Sequence, residues 1–494
     1  MRLETPSPVE PPEASPDDAP LDAALPAPRY SRTVAPWAVS MVVHATLLIV
    51  LALVALERGA GSLYPHLVTA SRDPLPQPER LDAEVLDLAA DDASLDAELI
   101  ASETQRTPGE LDLDPSPLPP SGLPAGLELS PQDLTRQIDL GPGPAIGGGF
   151  QGRAPEARAA LVGARGGTPE SEAAVEAGLK WLAAHQQPDG SWRFDLHEIS
   201  GCDCANPGRH QSVIGATGLA LLPFLGAGYT HQEGKYQQVV HRGLYYIMGR
   251  AVDSPQGIDL RGGDSMYTHG LATLALCEAY AMTGDRSIKP IAQGAIDYIV
   301  HAQHQAGGWR YFPGQAGDTT VTGWQVLALK SGYLAGLNIP RHIWYKIGEF
   351  LDSKGTRDGS NYGYTRVDRD DTNSAIGLLC RMMLGWDRQH QGLRGGVTFL
   401  AQLGPSETNL YYDYYATQVM HHFHDQRWER WNVQMREHLI RTQATDGHEA
   451  GSWFFSARHT DVAGRLFNTA MAVMILEVYY RHMPLYSEDA LVLP

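Results

Sequence analysis

GLKWLAAHQQPDGSWRF, residues Gly178 to Phe194, is the stretch on which the fold turns. An amphipathic run ends in glutamine, passes through a Pro-Asp-Gly turn and reaches a tryptophan before the next periodic segment begins. The same order recurs as QHQAGGW at Gln303–Trp309 and as QATDGHEAGSW at Gln443–Trp453. Each copy follows a mixed, polar-faced stretch and precedes a more apolar one, so the tryptophan marks a joint between two kinds of helix.

Working outward, the two kinds of stretch form six pairs. The polar-faced members cover about residues 171–187, 235–252, 287–305, 341–353, 389–403 and 427–443, and the apolar members 211–229, 264–283, 318–337, 371–386, 409–424 and 465–482. A glycine keeps its place in five polar-faced members, Gly178, Gly243, Gly294, Gly348 and Gly396. A helix-interior glycine costs roughly 1 kcal/mol against alanine, so close approach of a neighbouring helix is its expected reason. A two-helix unit repeated about every 50 residues is a repeat architecture, either an open solenoid or a closed ring with the apolar helices as inner wall.

GLKWLAAHQQPDGSW resembles the QW motif of the terpenoid cyclase and protein prenyltransferase superfamily, and GAIDYIVHAQHQAGGWRY is similar to its prenyltransferase/squalene-oxidase repeat. The resemblance covers about residues 170–494 and is strongest in repeats one and three. NLYYDYYATQVMHHF, GHEAGSW and LEVYYRHMPLY further resemble membrane-anchored bacterial proteins of this repeat class. It implies an all-α fold, an α6/α6 toroid, with the glutamine capping the following helix and the tryptophan stacked on it. Trp192, Trp309 and Trp453 are then architectural.

The rest of the chain reads differently. Residues 1–33 are expected to be a disordered tail, and 34–56, VAPWAVSMVVHATLLIVLALVAL, run without a charge for the length of a bilayer span. We read a single-pass transmembrane anchor, with a removed signal as the alternative. Arg29 and Arg32 before it nearly balance Arg58 and Arg72 after it; a cytoplasmic N-terminus and an extracytoplasmic, periplasmic C-terminal domain are expected. The formal charge of -19 is concentrated in residues 73–140, which hold 16 Asp or Glu against Arg80, Arg106 and Arg136. Acidic, Pro-rich and poor in aromatics, residues 57–168 read as a disordered linker with a coil dimension on the order of 60 Å. No basic stripe points to nucleic acid.

In a ring of this kind the inner helices gather their N-termini at one mouth. There the sequence places Asp264, Tyr267 and His269; Asp318, Thr322 and Trp324; Asn373; Tyr411, Tyr412, Asp413 and Tyr415; Arg465 and Asn468. All of these but Thr322 and Asn373 are the expected ligand-binding residues. Tyrosine and tryptophan favour an amphipathic guest in a central cavity, an isoprenoid lipid or an extended peptide. DRDDT, Asp368 to Thr372, resembles the DxDD acid motif of class II terpene cyclases. Carried over, Asp370 is the proton donor to an alkene or epoxide, with Asp368 and Asp371 its catalytic partners. The competing reading is helix capping, because aspartate also opens the apolar stretches at Asp264 and Asp318.

Of the four cysteines, Cys277 and Cys380 sit in apolar patterns. GCDCANPGRH is different: Cys202, Cys204 and His210, with His197 or Asp203 as a fourth ligand, have the composition of a zinc site, the alternative being two free thiols. HHFHD, His421 to Asp425, ends an apolar stretch, where histidines suit the helix dipole. Three functions stay open: a guest-binding toroid, a squalene-type cyclase, and a non-enzymatic scaffold.

Overall fold

The repeat organises nearly all of residues 150–457, 460–482 and 485, which are described by a computed structural model of the chain. After a 3-10 turn at Gln151–Arg153 come α1 (Pro155–Arg165) and then alternating outer and inner helices: α2 (Pro169–Ala184), α3 (Val213–Gly226), α4 (Gln237–Met248), α5 (Met266–Thr283), α6 (Lys289–Ala302), α7 (Thr319–Leu334), α8 (Arg341–Lys354), α9 (Asp371–Met383), α10 (Gln391–Leu403), α11 (Leu410–Phe423), α12 (Gln426–Thr442) and α13 (Thr460–Leu476). A short α14 (Val478–Arg481) ends the series. Burial separates the two kinds as the apolar pattern requires. Outer α12 buries only the stripe Trp428, Trp431, Asn432, Met435 and Leu439, whereas inner α5 is buried almost all round.

Each inner helix packs on the next, α3 on α5, α5 on α7, α7 on α9, α9 on α11 and α11 on α13, and α13 packs back on α3. The described helices therefore form a closed double ring, an α/α toroid. Hydrogen bonds between helix starts show that the inner helices run parallel. Ser212 at the start of α3 meets Thr268 of α5, Gln325 of α7 donates to the Met266 carbonyl of α5, and Asn409 before α11 donates to Thr372 of α9.

The opening tryptophans explain how each corner is made. In repeats one, three and six the indole N–H donates to a carbonyl at the end of its own outer helix, Trp192 to Leu182, Trp309 to Ile299 and Trp453 to Leu439, at 2.7–2.8 Å. The backbone N–H of each donates to a threonine of the following inner helix, Thr217, Thr322 or Thr469. All three rings are fully buried. The glutamine does something other than the expected capping, which would need it to accept from free N–H groups. Its side-chain amide donates both to the turn and to a carbonyl of the next outer helix, as Gln186 does to Gly190 and to Val239 in α4. It ties neighbouring repeats together.

Three of the five in-register glycines fit the close-approach reading: a Cβ on Gly178 would press on Val473 and Trp453, on Gly243 on Leu221 and Trp192, and on Gly396 on Leu378. Gly294 instead makes room for Ile258 of a small antiparallel hairpin, β1 (Val252–Ser254) and β2 (Gly257–Asp259), which nothing in the helical pattern announced. A Cβ on Gly348 would meet only the Arg381 guanidinium, at 3.9 Å, so its position has no packing reason.

One expectation needs correction. The linker does not extend to residue 168, because Gln151–Arg153 and α1 are folded against the ring: the Arg153 side chain is buried and donates to the carbonyls of Leu225 and Arg481. Gly464, whose φ of 63° and ψ of -155° lie outside helical geometry, separates the first residues of α13 from the sixth inner stretch, which starts at 465 as expected. The expected tail 1–33, the span 34–56 and the linker up to residue 149 lie outside the described residues; among those described, no helix is long and apolar enough to cross a membrane.

Candidate functional site

At the mouth, the polar residues grouped from the sequence are mostly engaged in building helix starts. Asp318 caps α7 by accepting from Val321 N at 2.8 Å, and Thr320 donates to the same carboxylate. The Tyr267 hydroxyl then donates to Thr320 at 2.5 Å, which extends a buried chain from α5 to α7. Asp264 does not cap α5; it accepts from Thr268 and lies 3.3 Å from His210 Nε2. Burial disfavours its charge, but these two bonds outweigh burial and hold its carboxyl below the usual range.

Other members of the group face away from the axis. His269 accepts from Leu260 N and lies against the Ala295 carbonyl of outer α6. Burial lowers it to about 4, so the imidazole is neutral. Tyr412 donates to the Gly404 carbonyl and meets Trp431 of outer α12. Asp413 is buried, accepts from Ser406 N, and is pushed by burial well above the carboxylate range. Asn468 braces Gly464, and Arg465 bonds to Ala205 and Ser452.

Trp324, Tyr411 and Tyr415 do converge, but as packing. Helices α7 and α11 are not neighbours in the ring, yet Trp324 stacks on Tyr411 and Tyr414 at 6.3 and 5.7 Å and meets Tyr415 edge-on at 5.9 Å. Tyr411 goes on to Phe467 of α13. None of these five rings is more than 3% exposed. Where a guest was expected, side chains bridge the axis.

Asp368, Asp370 and Asp371 differ in what they do. Asp370 caps α9, accepting from the backbone and side chain of Asn373 at 2.7 and 2.8 Å, while Asp368 and Asp371 are exposed. Burial raises the Asp370 carboxyl, the Asn373 bonds oppose that, and the neighbouring Asp371 and Asp368 charges add to it. The capping device anticipated as the plainer reading is what these atoms do.

The cysteine pair lies in a tighter constellation. Cys202 and Cys204 meet His185 and His448, with one ligand atom from each within 4.8 Å of all the others. His185 is the residue that ends outer α2, and its Nδ1 lies 2.7 Å from the Trp181 carbonyl, which leaves Nε2 to face Cys204 Sγ at 3.4 Å. His448 comes from the sixth corner and brings Nδ1 within 3.2 Å of the same sulfur. Burial lowers His185 to about 4 and, together with Cys202, raises Cys204 to about 12. His210 is not part of the group: it pairs with Asp264, and its ring lies against Phe194. His197 lies beside Asp195, and Asp203 is exposed next to His448. Cys202 and Cys204 were among the residues singled out in the sequence, and His185 and His448 were not. They were visible as histidines inside the first and sixth corner motifs, which only ring closure brings together.

Two further clusters complete the inventory. His421 and His424 pack their rings on Trp428, and His422 packs on His421. Towards the C-terminal ends of the inner helices, Arg153, Glu278, Glu477 and Arg481 form a fully buried ionic network, with Arg153 2.8 Å and Arg481 3.2 Å from Glu278. Glu278 was legible as a lone acid in an apolar helix; its partners were not.

No family model matches the sequence, and no curated protein is detectably similar to it. Among solved structures the chain is similar to a type II terpene cyclase from Scytonema, with 13% identity, 62% of this chain and 97% of that one covered, and a TM-score of 0.44. It is also similar to an α-1,6-mannanase from Salegentibacter, with 10% identity, 63% and 98% covered, and a TM-score of 0.44.

Proposed function

We propose that this toroid is a binding module, held at a membrane by residues 34–56 and the acidic linker, whose partner is an extended peptide engaged on the rim of the mouth. The observation that carries this reading is the contact of Trp324 with Tyr411, Tyr414 and Tyr415, which puts protein side chains where an isoprenoid in the axis would lie. The rim supplies a polar alternative. A groove of about 410 Å³ runs between the loop before α9 and outer α10, lined by Ser360, Asn361, Arg369 and Phe399 among others. Asn361 is 6% exposed, and its side-chain oxygen has no hydrogen-bond partner. Arg369 lies over the Phe399 ring at 4.4 Å. An acceptor, a guanidinium and an aromatic face together suit the N–H, C=O and side chains of a peptide.

The second reading, a class II cyclase, draws on the raised Asp370 carboxyl beside Asp368 and Asp371. One experiment separates the two. Full-length protein is incubated with squalene and with polyprenyl substrates, and products are sought by mass spectrometry; in parallel, a peptide array is probed for binding. The binding reading expects no cyclised product and array binding that Arg369→Ala weakens at least tenfold. Product formation abolished by Asp370→Asn would overturn it.

A further inference from the structure

We infer that His185, Cys202, Cys204 and His448 are a four-ligand transition-metal site, a zinc clasp that fastens the first repeat to the sixth where the ring closes. The four groups come from three separate places: the end of outer α2, the loop 199–210 of repeat one, and the corner of repeat six. Cys204 and His448 are 244 residues apart in sequence. Two thiolates and two imidazoles are a soft, tetrahedral donor set that suits zinc and not magnesium or calcium. Tetrahedral zinc bonds of about 2.0–2.3 Å place ligand atoms roughly 3.3–3.8 Å apart. Cys204 Sγ already stands 3.4 Å from His185 Nε2 and 3.2 Å from His448 Nδ1.

The surroundings are built for the purpose. The Trp181 carbonyl fixes the His185 tautomer, the arrangement that orients metal-bound histidines. The Trp181 indole stacks on the His185 ring at 3.9 Å and donates to the His448 carbonyl at 3.2 Å. Arg465 donates to the Ala205 carbonyl, Ala205 N donates to Glu449, and Arg465 pairs with Glu449, so the loop carrying both cysteines is bound to the sixth corner independently of any ion. Adjacent-but-one cysteines are poorly placed for a disulfide with each other, and both thiols are free. The half-exposed His448 provides the way in for an ion. Binding releases the two thiol protons to solvent and leaves a site with no net charge.

Elemental analysis of full-length protein, purified after growth with added zinc, tests the assignment. One zinc per chain is expected in the wild type and in His210→Ala, and less than a tenth of that in Cys204→Ser and His185→Gln. Chelation of the wild type lowers Tm by on the order of 5 °C. Titration of apo wild type with cobalt(II) reads the ligand set without any variant, and is expected to give a tetrahedral visible spectrum with a thiolate-to-cobalt charge-transfer band. A wild type that takes up neither zinc nor cobalt, or a His210→Ala variant that loses metal as Cys204→Ser does, overturns the proposal.

Discussion

Gln443 of the sixth repeat donates its side-chain amide to the backbone carbonyl of Ala174 in the first, at 2.9 Å. Gln186 and Gln303 make the same bond to Val239 and Ile343 of the outer helices that follow them. The joint between the ends of the chain is thus built like the joints within it, and the ring closes by repetition.

Gln443→Ala leaves the Ala174 and Gly451 carbonyls without this donor, which costs about 1–3 kcal/mol. Urea unfolding of the variant checks this. If the joint unites repeats one and six, hydrogen exchange rises in α2 and α12 together, and a rise in α12 alone contradicts closure.

Gly307 has a φ of +96°, and a Cβ there would collide with the backbone of Lys346 in the next outer helix. Gly284 also has positive φ, at +64°, with open space around it. Gly284→Ala is expected to cost about 1 kcal/mol of backbone strain alone. Gly307→Ala costs more, because the turn must also move off α8, and comparison of their unfolding midpoints reads the difference.

The buried network around Glu278 makes a prediction for a residue far outside the repeats. Arg153→Met leaves Glu278 with Arg481 as its remaining ionic partner and is expected to destabilise by about 3–5 kcal/mol. Adding Glu278→Leu restores part of that loss, and a double-mutant cycle with no coupling between the two positions refutes the network.

His269 and His422 are buried, and burial lowers them to about 4 and about 3; burial also holds His421 well below its ordinary value. Their folded values lie below the unfolded one of about 6.5, so the unfolded chain takes up protons first as pH falls. Stability is complete above about pH 6.5 and declines from there towards pH 4, by roughly a tenfold change in the folding equilibrium per pH unit per histidine. His269→Gln should flatten the slope of stability against pH between 7 and 5; an unchanged slope would mean the imidazole protonates freely in the folded ring.

Much of this architecture was legible in the sequence because it rests on local pattern. Apolar periodicity marked both helix types, and the Gln-to-Trp corners marked the hairpins, since each tryptophan bonds to residues 10 to 25 positions away. What sequence could not supply were contacts made by closure. His185 and His448 read as corner residues until the ring brought them to Cys204, and Arg153 read as linker until its guanidinium was found against Glu278. The mouth residues were correctly gathered at helix starts, but composition does not distinguish a tyrosine lining a pocket from one filling it.

Trp324 is where that distinction is measured. If the axis is a packed core, Trp324→Ala removes a buried ring in contact with Tyr411, Tyr414 and Tyr415 and lowers unfolding free energy by about 3–5 kcal/mol. A variant as stable as the wild type would show that the indole faces an open pocket, and the binding surface would then belong in the axis and not on the rim.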